Sequence, residues 1–188
     1  MDAFLPDTYE PPKSSSGYTK LQDGKNKFRI LSSPILGWEY WTMKDWKKTP
    51  VRLSYTEENY MVAQNEAQKN IDEKDKKAKH FWAMVIWNYN TKSIEILELV
   101  QNSMQKKIRE ISSDPDWGNP VNRYDFVLTK EWVKLKTEYS MISNPPSPTL
   151  PEITQAFKNK PINLNALFSG GNPFEEAVVD EAFVADTF

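Results

Sequence analysis

The stretch from His80 to Ser112 limits the possible folds more than any other part of this chain. It begins His-Phe-Trp-Ala-Met-Val-Ile-Trp-Asn-Tyr-Asn, dense in the aromatic and β-branched residues that suit a pleated, half-buried surface. Four polar residues, Asn90 to Ser93, separate this run from a second apolar run, Ile94 to Val100. Two such runs across a short polar gap predict a β-hairpin. The period then changes. Met104, Ile108 and Ile111 fall at i, i+4 and i+7, one stripe of a helix, with Asn102 or Ser103 available as N-cap and Pro115 beyond the end. Alternation divides the first run into His80, Trp82, Met84, Ile86 and Asn88 on one side and Phe81, Ala83, Val85, Trp87 and Tyr89 on the other. One of these faces is expected to be core. Trp87 is assigned to the core and Trp82, between polar His80 and Asn88, to a binding face.

Strand, strand, short helix is the centre of the five-stranded oligonucleotide-binding (OB-fold) barrel, and the flanks supply candidates for its other strands. Residues 1–17 hold prolines, a serine run and Gly17, and predict a flexible arm. From Lys25 the chain alternates basic and apolar residues. Pro34 and Gly37 interrupt the pattern, and Trp38-Glu39-Tyr40-Trp41 resumes it, as in a long first strand bent at a bulge. Residues 42–79 read as a long irregular loop carrying a helical insertion from Glu57 to Lys79. Tyr60, Ala63, Ala67 and Ile71 give that helix a thin apolar stripe, and Asp72, Glu73 and Asp75 each stand four residues before Lys76, Lys77 and Lys79. After the turn-rich connector Asp114 to Pro120, in which Trp117 is assigned as a lid on the barrel end, Tyr124–Thr129 and Thr137–Ile142 alternate as fourth and fifth strands.

The expected architecture is therefore mainly β. It comprises an arm (1–17), an OB-fold domain (18–150), a linker with a short helix (151–171) and a disordered acidic tail (172–188). With no cysteine and one histidine, disulfide frameworks, thiolate zinc sites and histidine-rich metal sites are excluded, and no cofactor is expected. The start lacks the pattern of a signal peptide, and no window approaches the roughly 18 apolar residues of a membrane span. A soluble, cytoplasmic protein is expected.

The net charge of −2 conceals an uneven distribution: all 24 Lys and Arg lie in residues 1–160, leaving that part at +3. The last 28 residues carry Glu175, Glu176, Asp180, Glu181 and Asp186 and no base, and end in Phe188. A basic body with an acidic tail is a pattern of nucleic-acid binding. Cations neutralise phosphates whatever the sequence, whereas flat rings stack only on unpaired bases, so a cluster of both selects single strands. The OB-fold binding face includes the loops after the first and fourth strands. Here the former carries Lys44, Trp46, Lys47, Lys48 and Arg52, and the latter Trp132, Lys134 and Lys136. These residues, with Trp41 and Trp82, are the candidate contacts. An enzyme reading finds no phosphate loop, and only Asp114, Asp116 and Asp125 could hold magnesium for a nuclease. A protein-interaction barrel that never touches DNA is the other alternative.

The segment Gly-Trp-Glu-Tyr-Trp-Thr with Thr-Pro-Val-Arg-Leu-Ser-Tyr, the strand from His80, the block Pro-Asp-Trp-Gly-Asn-Pro with Tyr-Asp-Phe-Val-Leu-Thr-Lys, and the acidic tail ending in phenylalanine together resemble the bacteriophage single-stranded-DNA-binding proteins. The resemblance covers residues 18–150 and the tail. It implies a barrel that coats single strands during replication, recombination and repair in the cytoplasm of an infected cell, either alone or as a homo-oligomer. It also implies a tail that occupies the DNA groove when free and meets phage replication proteins when displaced. At matching positions it implies DNA contacts by Tyr40, Trp41, Arg52 and Trp82. The loop from Glu131 to Lys136 departs from the family pattern in lacking glycine beside its basic residues.

Overall fold

The computed structural model describes residues 17–69, 76–116, 121–133 and 136–175. Among them are seven antiparallel strands: β1 (Gly24–Ile30), β2 (Ile35–Lys44), β3 (Lys47–Ser54), β4 (Lys79–Asn88), β5 (Ser93–Leu99), β6 (Asp125–Val133) and β7 (Lys136–Ser143). The helices are α1 (Glu57–Lys69), α2 (Asn102–Ser113), α3 (Pro151–Asn159) and α4 (Ala166–Ser169). The predicted central hairpin is β4 and β5, paired from Trp82↔Leu99 to Asn88↔Ser93. α2 follows it with Met104, Ile108 and Ile111 buried, though no side chain caps its start.

The bent first strand is β1 and β2, which lie in tandem along the edge of β4 opposite β5, from Phe28↔Asn88 to Glu39↔Lys79. Between Ile30↔Ile86 and Ile35↔Ala83 the chain advances five residues on one side and three on the other. This bulge bends the strand without orphaning β4: Leu31 N donates to Val85 O at 2.9 Å, and Val85 N donates to the Ser32 hydroxyl at 2.9 Å. Gly37 does not break β2. A Cβ there would lie 2.3 Å from the Leu53 carbonyl and 2.6 Å from the Phe81 ring, so only glycine allows this packing.

Three expectations are corrected. The region after residue 42 is not an irregular loop, because Lys47–Ser54 pairs with β2 from Lys44↔Lys47 to Gly37↔Ser54. Pro50 obscured this strand in the sequence, but β3 is the last strand of the sheet path, and a proline on an edge forfeits no ladder bond. The helix does not reach Lys79, which opens β4; it is described over Glu57–Lys69, and Ile71, Asp72, Glu73 and Asp75 lie outside the described residues. The barrel is not closed. β6 joins β1 and β7 joins β6, but β5 and β7 do not pair with each other; α2 packs against both.

Two cores result, one on each face of β4. The inner one gathers Phe28, Ile30, Met84, Ile86, Leu97 and Leu99 beneath α2, with Tyr124, Phe126, Leu128 and Met141. The outer one gathers Leu31, Phe81, Ala83, Val85, Trp87, Ile94 and Ile96 beneath Ile153, Leu164 and Leu167. Both faces of β4 are thus core, and its near-continuous apolar run is that of a strand covered on both sides. Trp87 is buried as expected. Residues 151–169, read from the sequence as linker, supply α3 and α4 to the outer cover. The cover continues to Phe174, whose ring occupies the space above Gly17 and meets Tyr18 edge-on at 5.5 Å.

A buried ion pair ties the proline-rich connector to the sheet. Arg29, 2% exposed, donates Nε to Asp125 Oδ1 at 2.6 Å, Nη1 to Ser147 O at 3.1 Å and Nη2 to Ser147 Oγ at 2.6 Å. Asp125 also receives Lys27 Nζ at 2.9 Å and the Tyr89 hydroxyl at 2.9 Å. Burial works to raise the Asp125 carboxyl, but hydrogen bonds from Lys27, Arg29 and Tyr89 outweigh it and hold it low. Burial and the neighbouring Asp125 push the Tyr89 phenol up to about 12. A carboxylate depressed in the folded state stabilises it above the ordinary carboxylate range and loses that contribution as pH falls through the folded value. Two outcomes are expected in urea titrations. Arg29→Met costs about 3–5 kcal/mol by leaving Asp125 short of its main partner, and Asp125→Asn shows a flatter loss of stability with acid than the wild-type chain.

Candidate nucleic-acid interface

β2 and β3 form an arm whose last pair, Lys44↔Lys47, is closed by the two-residue turn Asp45-Trp46. Both turn residues have positive φ, 49° and 62°, the geometry of a type I′ turn that usually takes Asn-Gly. A bulky residue in the left-handed region is a true outlier. Trp46 is 95% exposed, so no packing compensates for the strain. Alternation places Lys44 and Lys47 on the face that carries Trp38 and Tyr40, and Lys48 on the opposite face. The tip therefore presents one bare indole among three lysines.

A second aromatic group stands at the root of the same arm. Trp38 on β2 lies opposite His80 on β4. Tyr55 stacks on Trp38 at 5.3 Å and 24°, Tyr60 approaches it at 4.6 Å, and the Trp38 indole donates to Thr56 O at 3.1 Å. His80 sits 4.8 Å from Tyr55 and 5.2 Å from Trp38, with Trp82 edge-on to it at 6.4 Å. Tyr55 is 55% exposed and forms the open side of the cluster. Two buried polar atoms here have no hydrogen-bond partner, His80 Nε2 and Trp82 Nε1. Burial pulls the His80 imidazole below its usual range, against a hydrogen bond to the Gln105 side chain that favours the protonated form. From the sequence, Trp38 is expected only as part of a strand and Tyr60 only in the apolar stripe of the helix, and none of Trp38, Tyr55 and Tyr60 is among the candidate contacts. Their convergence depends on the β2–β4 register and on the turn into α1; the one signal was the density of aromatics between residues 38 and 60.

The other predicted contacts are divided by the fold. Tyr40 points to the face covered by α1, where burial and then Glu66 raise its phenol. Trp82 is half-buried against the inner core. Trp41 lies on the opposite face, half-buried across from Pro50. Arg52 on that same face is held internally: Nε reaches Glu39 Oε2 at 3.0 Å, Nη2 reaches Glu98 Oε1 at 2.9 Å, and the guanidinium lies over the Phe81 ring. Burial raises the Glu98 carboxyl, Arg52 lowers it, and Glu39 raises it further. Trp132, 65% exposed, and exposed Lys136 belong to the β6–β7 hairpin, and Lys134 lies outside the described residues.

β6–β7 runs past Gly24, the start of the bent first strand, and β2–β3 leaves β4 beyond Glu39, towards that strand's other end. Glu175 is exposed and accepts from Asn172 Nδ2 at 3.0 Å; Glu176, Asp180, Glu181, Asp186 and Phe188 lie outside the described residues, as do residues 1–16 and Trp117. Of the carboxylates considered for magnesium, Asp125 is bound to Arg29 and Asp114 accepts from Asp116 N. No group of three or more potential metal ligands occurs among the described residues, and no helix among them is long and apolar enough to cross a membrane.

The structural and exposed members of the arm are separable by stability. Arg52→Ala is expected to cost about 3 kcal/mol by stranding buried Glu39, whereas Trp46→Ala stays within about 0.5 kcal/mol; urea unfolding of both variants checks this. Searches with this sequence match no protein-family model and no curated protein.

Proposed function

We propose that this protein binds single-stranded DNA with little regard to sequence, and that the β2–β3 arm is its principal contact. The observation that carries this reading is Trp46, held bare at the end of a fully paired hairpin between Lys44, Lys47 and Lys48. An exposed indole on a strained turn contributes nothing to the core, yet it matches a stacking platform, and the lysines match a phosphate backbone. The exposed Trp132 beside Lys136 offers a second contact of the same kind. The resemblance to the bacteriophage single-stranded-DNA-binding proteins points the same way, with roles in replication, recombination and repair and a tail that recruits replication enzymes. OB-fold ancestry is part of this proposal: a bent first strand, a central hairpin and a helix filling the gap between β5 and β7 agree with it.

Arg52 leaves the contact set because its charge is committed to Glu39 and Glu98. With three arm lysines on phosphates, the log–log dependence of affinity on salt has a slope of about −2 for single strands. A slope of −3 or steeper brings in the β6–β7 hairpin, and a slope near zero removes the reading in favour of a protein-interaction domain. Trp46→Ala is expected to weaken oligothymidylate binding by about 1–3 kcal/mol, measured by the quenching of tryptophan fluorescence.

The tail is proposed to compete for the same cations. Because the fold extends to Glu175, the informative truncation removes residues 176–188 and leaves Phe174 in place. It is expected to tighten binding, most at low salt where screening is weakest. An affinity independent of the tail at every salt concentration removes self-competition.

A further inference from the structure

We infer that Tyr55 is a second stacking platform, taking one unpaired base at the root of the arm while Lys76 and Lys77 take the phosphates beside it. The inference rests on the single-strand reading above and extends the contact from the arm tip along the whole of β3.

The ring is held ready by its surroundings. Trp38 stacks on it at 5.3 Å and 24°, and the Trp38 indole is itself fixed by its bond to Thr56 O. His80 leans on it at 4.8 Å. The backbone on either side is pinned. Asn59 Nδ2 donates to Ser54 O at 3.0 Å and to Ser54 Oγ at 2.9 Å, while Thr56 Oγ1 accepts from Asn59 N at 3.1 Å. Tyr55 is nevertheless 55% exposed, so more than half of the residue stands outside the cluster that orients it. A base laid on the open ring continues the Trp38–Tyr55 stack, and the ring has little freedom left to lose when it does so.

The cations come from the entry to β4. On α1, Tyr60 approaches Trp38 at 4.6 Å, and Gln64 stands one turn further along the same side of the helix. The Gln64 side chain clamps the incoming strand, donating to Lys76 O at 3.3 Å and accepting from Ala78 N at 3.2 Å. Exposed Lys76 and Lys77 are thereby held near the aromatic cluster, Lys77 three residues before His80. Ring and cations together repeat the chemistry of the tip, where Trp46 stands among Lys44, Lys47 and Lys48. Trp46 and Tyr55 flank β3, which separates them by about 30 Å of extended chain. A strand stacked at the duplex rise of about 3.4 Å per nucleotide covers that distance in roughly nine nucleotides, and a stretched one in fewer.

The test compares oligothymidylates of about 16 and about 4 nucleotides, the limits of site size for one OB fold, on the full-length protein. The longer strand reaches both rings; the shorter reaches one at a time, and either ring serves it. Tyr55→Leu keeps an apolar contact with Trp38 but offers no flat face. It is expected to weaken binding of the longer strand about 5- to 150-fold and that of the shorter by no more than about twofold. Tyr55→Phe is expected to bind both strands as the wild type does. Lys76→Gln with Lys77→Gln is expected to make the salt slope of the longer strand shallower by about 1.4, and an unchanged slope overturns the assignment of the two cations. Unchanged affinity for the longer strand in folded Tyr55→Leu overturns the inference, and so does an equal loss at both lengths. Should that variant not fold, ultraviolet cross-linking of the wild type to a strand carrying 5-iodouracil decides: adducts at Tyr55 support the inference and adducts at Trp46 alone overturn it. A wild-type protein that binds neither strand at low salt instead overturns the single-strand reading itself.

Discussion

Burial of β4 on both faces is the constraint on which the rest of the structure depends. A strand covered on one side needs an alternating pattern; one covered on both sides needs apolar residues throughout and a complete set of partners along both edges. β4 meets those demands with β5 on one edge and β1 and β2 in tandem on the other. The tandem works because the bulge at Leu31–Pro34 keeps Val85 bonded through both its N–H and its carbonyl. The helices divide accordingly. α2 closes the inner core, while α3, α4 and the segment to Phe174 close the outer one. Without the second cover Phe81, Val85 and Trp87 would face water, which is why the folded body extends past the proline-rich connector.

The charges inside the molecule follow the same logic. Arg29 and Asp125 join β1, β6 and the connector at a place where one guanidinium on β1 bonds to both of the other segments. Arg52 bridges Glu39 on β2 and Glu98 on β5, crossing β4 over Phe81. Glu95, without a cation, is held by Thr19, Asn88, Thr91 and Ser93; burial would raise its carboxyl, and these four donors outweigh it and keep it low. Each of these groups is costly to bury alone and acceptable once its bonds are complete. They are structural charges, unlike the exposed lysines of the arm.

Those lysines and Trp46 sit where the fold asks least. The arm beyond Glu39 has left β4, so its far half is a two-stranded ribbon with α1 on one face. Residues there are released from packing the sheet, and a turn with positive φ at Asp45 and Trp46 is tolerated. The root of the arm is the reverse case. Trp38, His80 and Trp82 are held in place by register.

The sequence by itself determined the central hairpin, α2 and the late hairpin, because each is a local pattern. Period two gives strands, i, i+4 and i+7 give the helix, and Asn90 to Ser93 give the turn. Composition likewise marked the lysines near Trp46. It could not distinguish an exposed lysine from a bound arginine, since Arg52 meets Glu98 across 46 residues of chain. Nor could alternation tell whether β4 had one buried face or two, because the second cover comes from residues 151–174. Pro50 hid β3 for a related reason: whether a missing N–H matters depends on whether the strand is an edge, and that belongs to the sheet order. The tertiary structure alone decided which aromatics gather at His80, which cations remain outside, and that the two basic hairpins leave opposite ends of the bent first strand. All three rest on contacts between residues far apart in the chain, where no local period carries information.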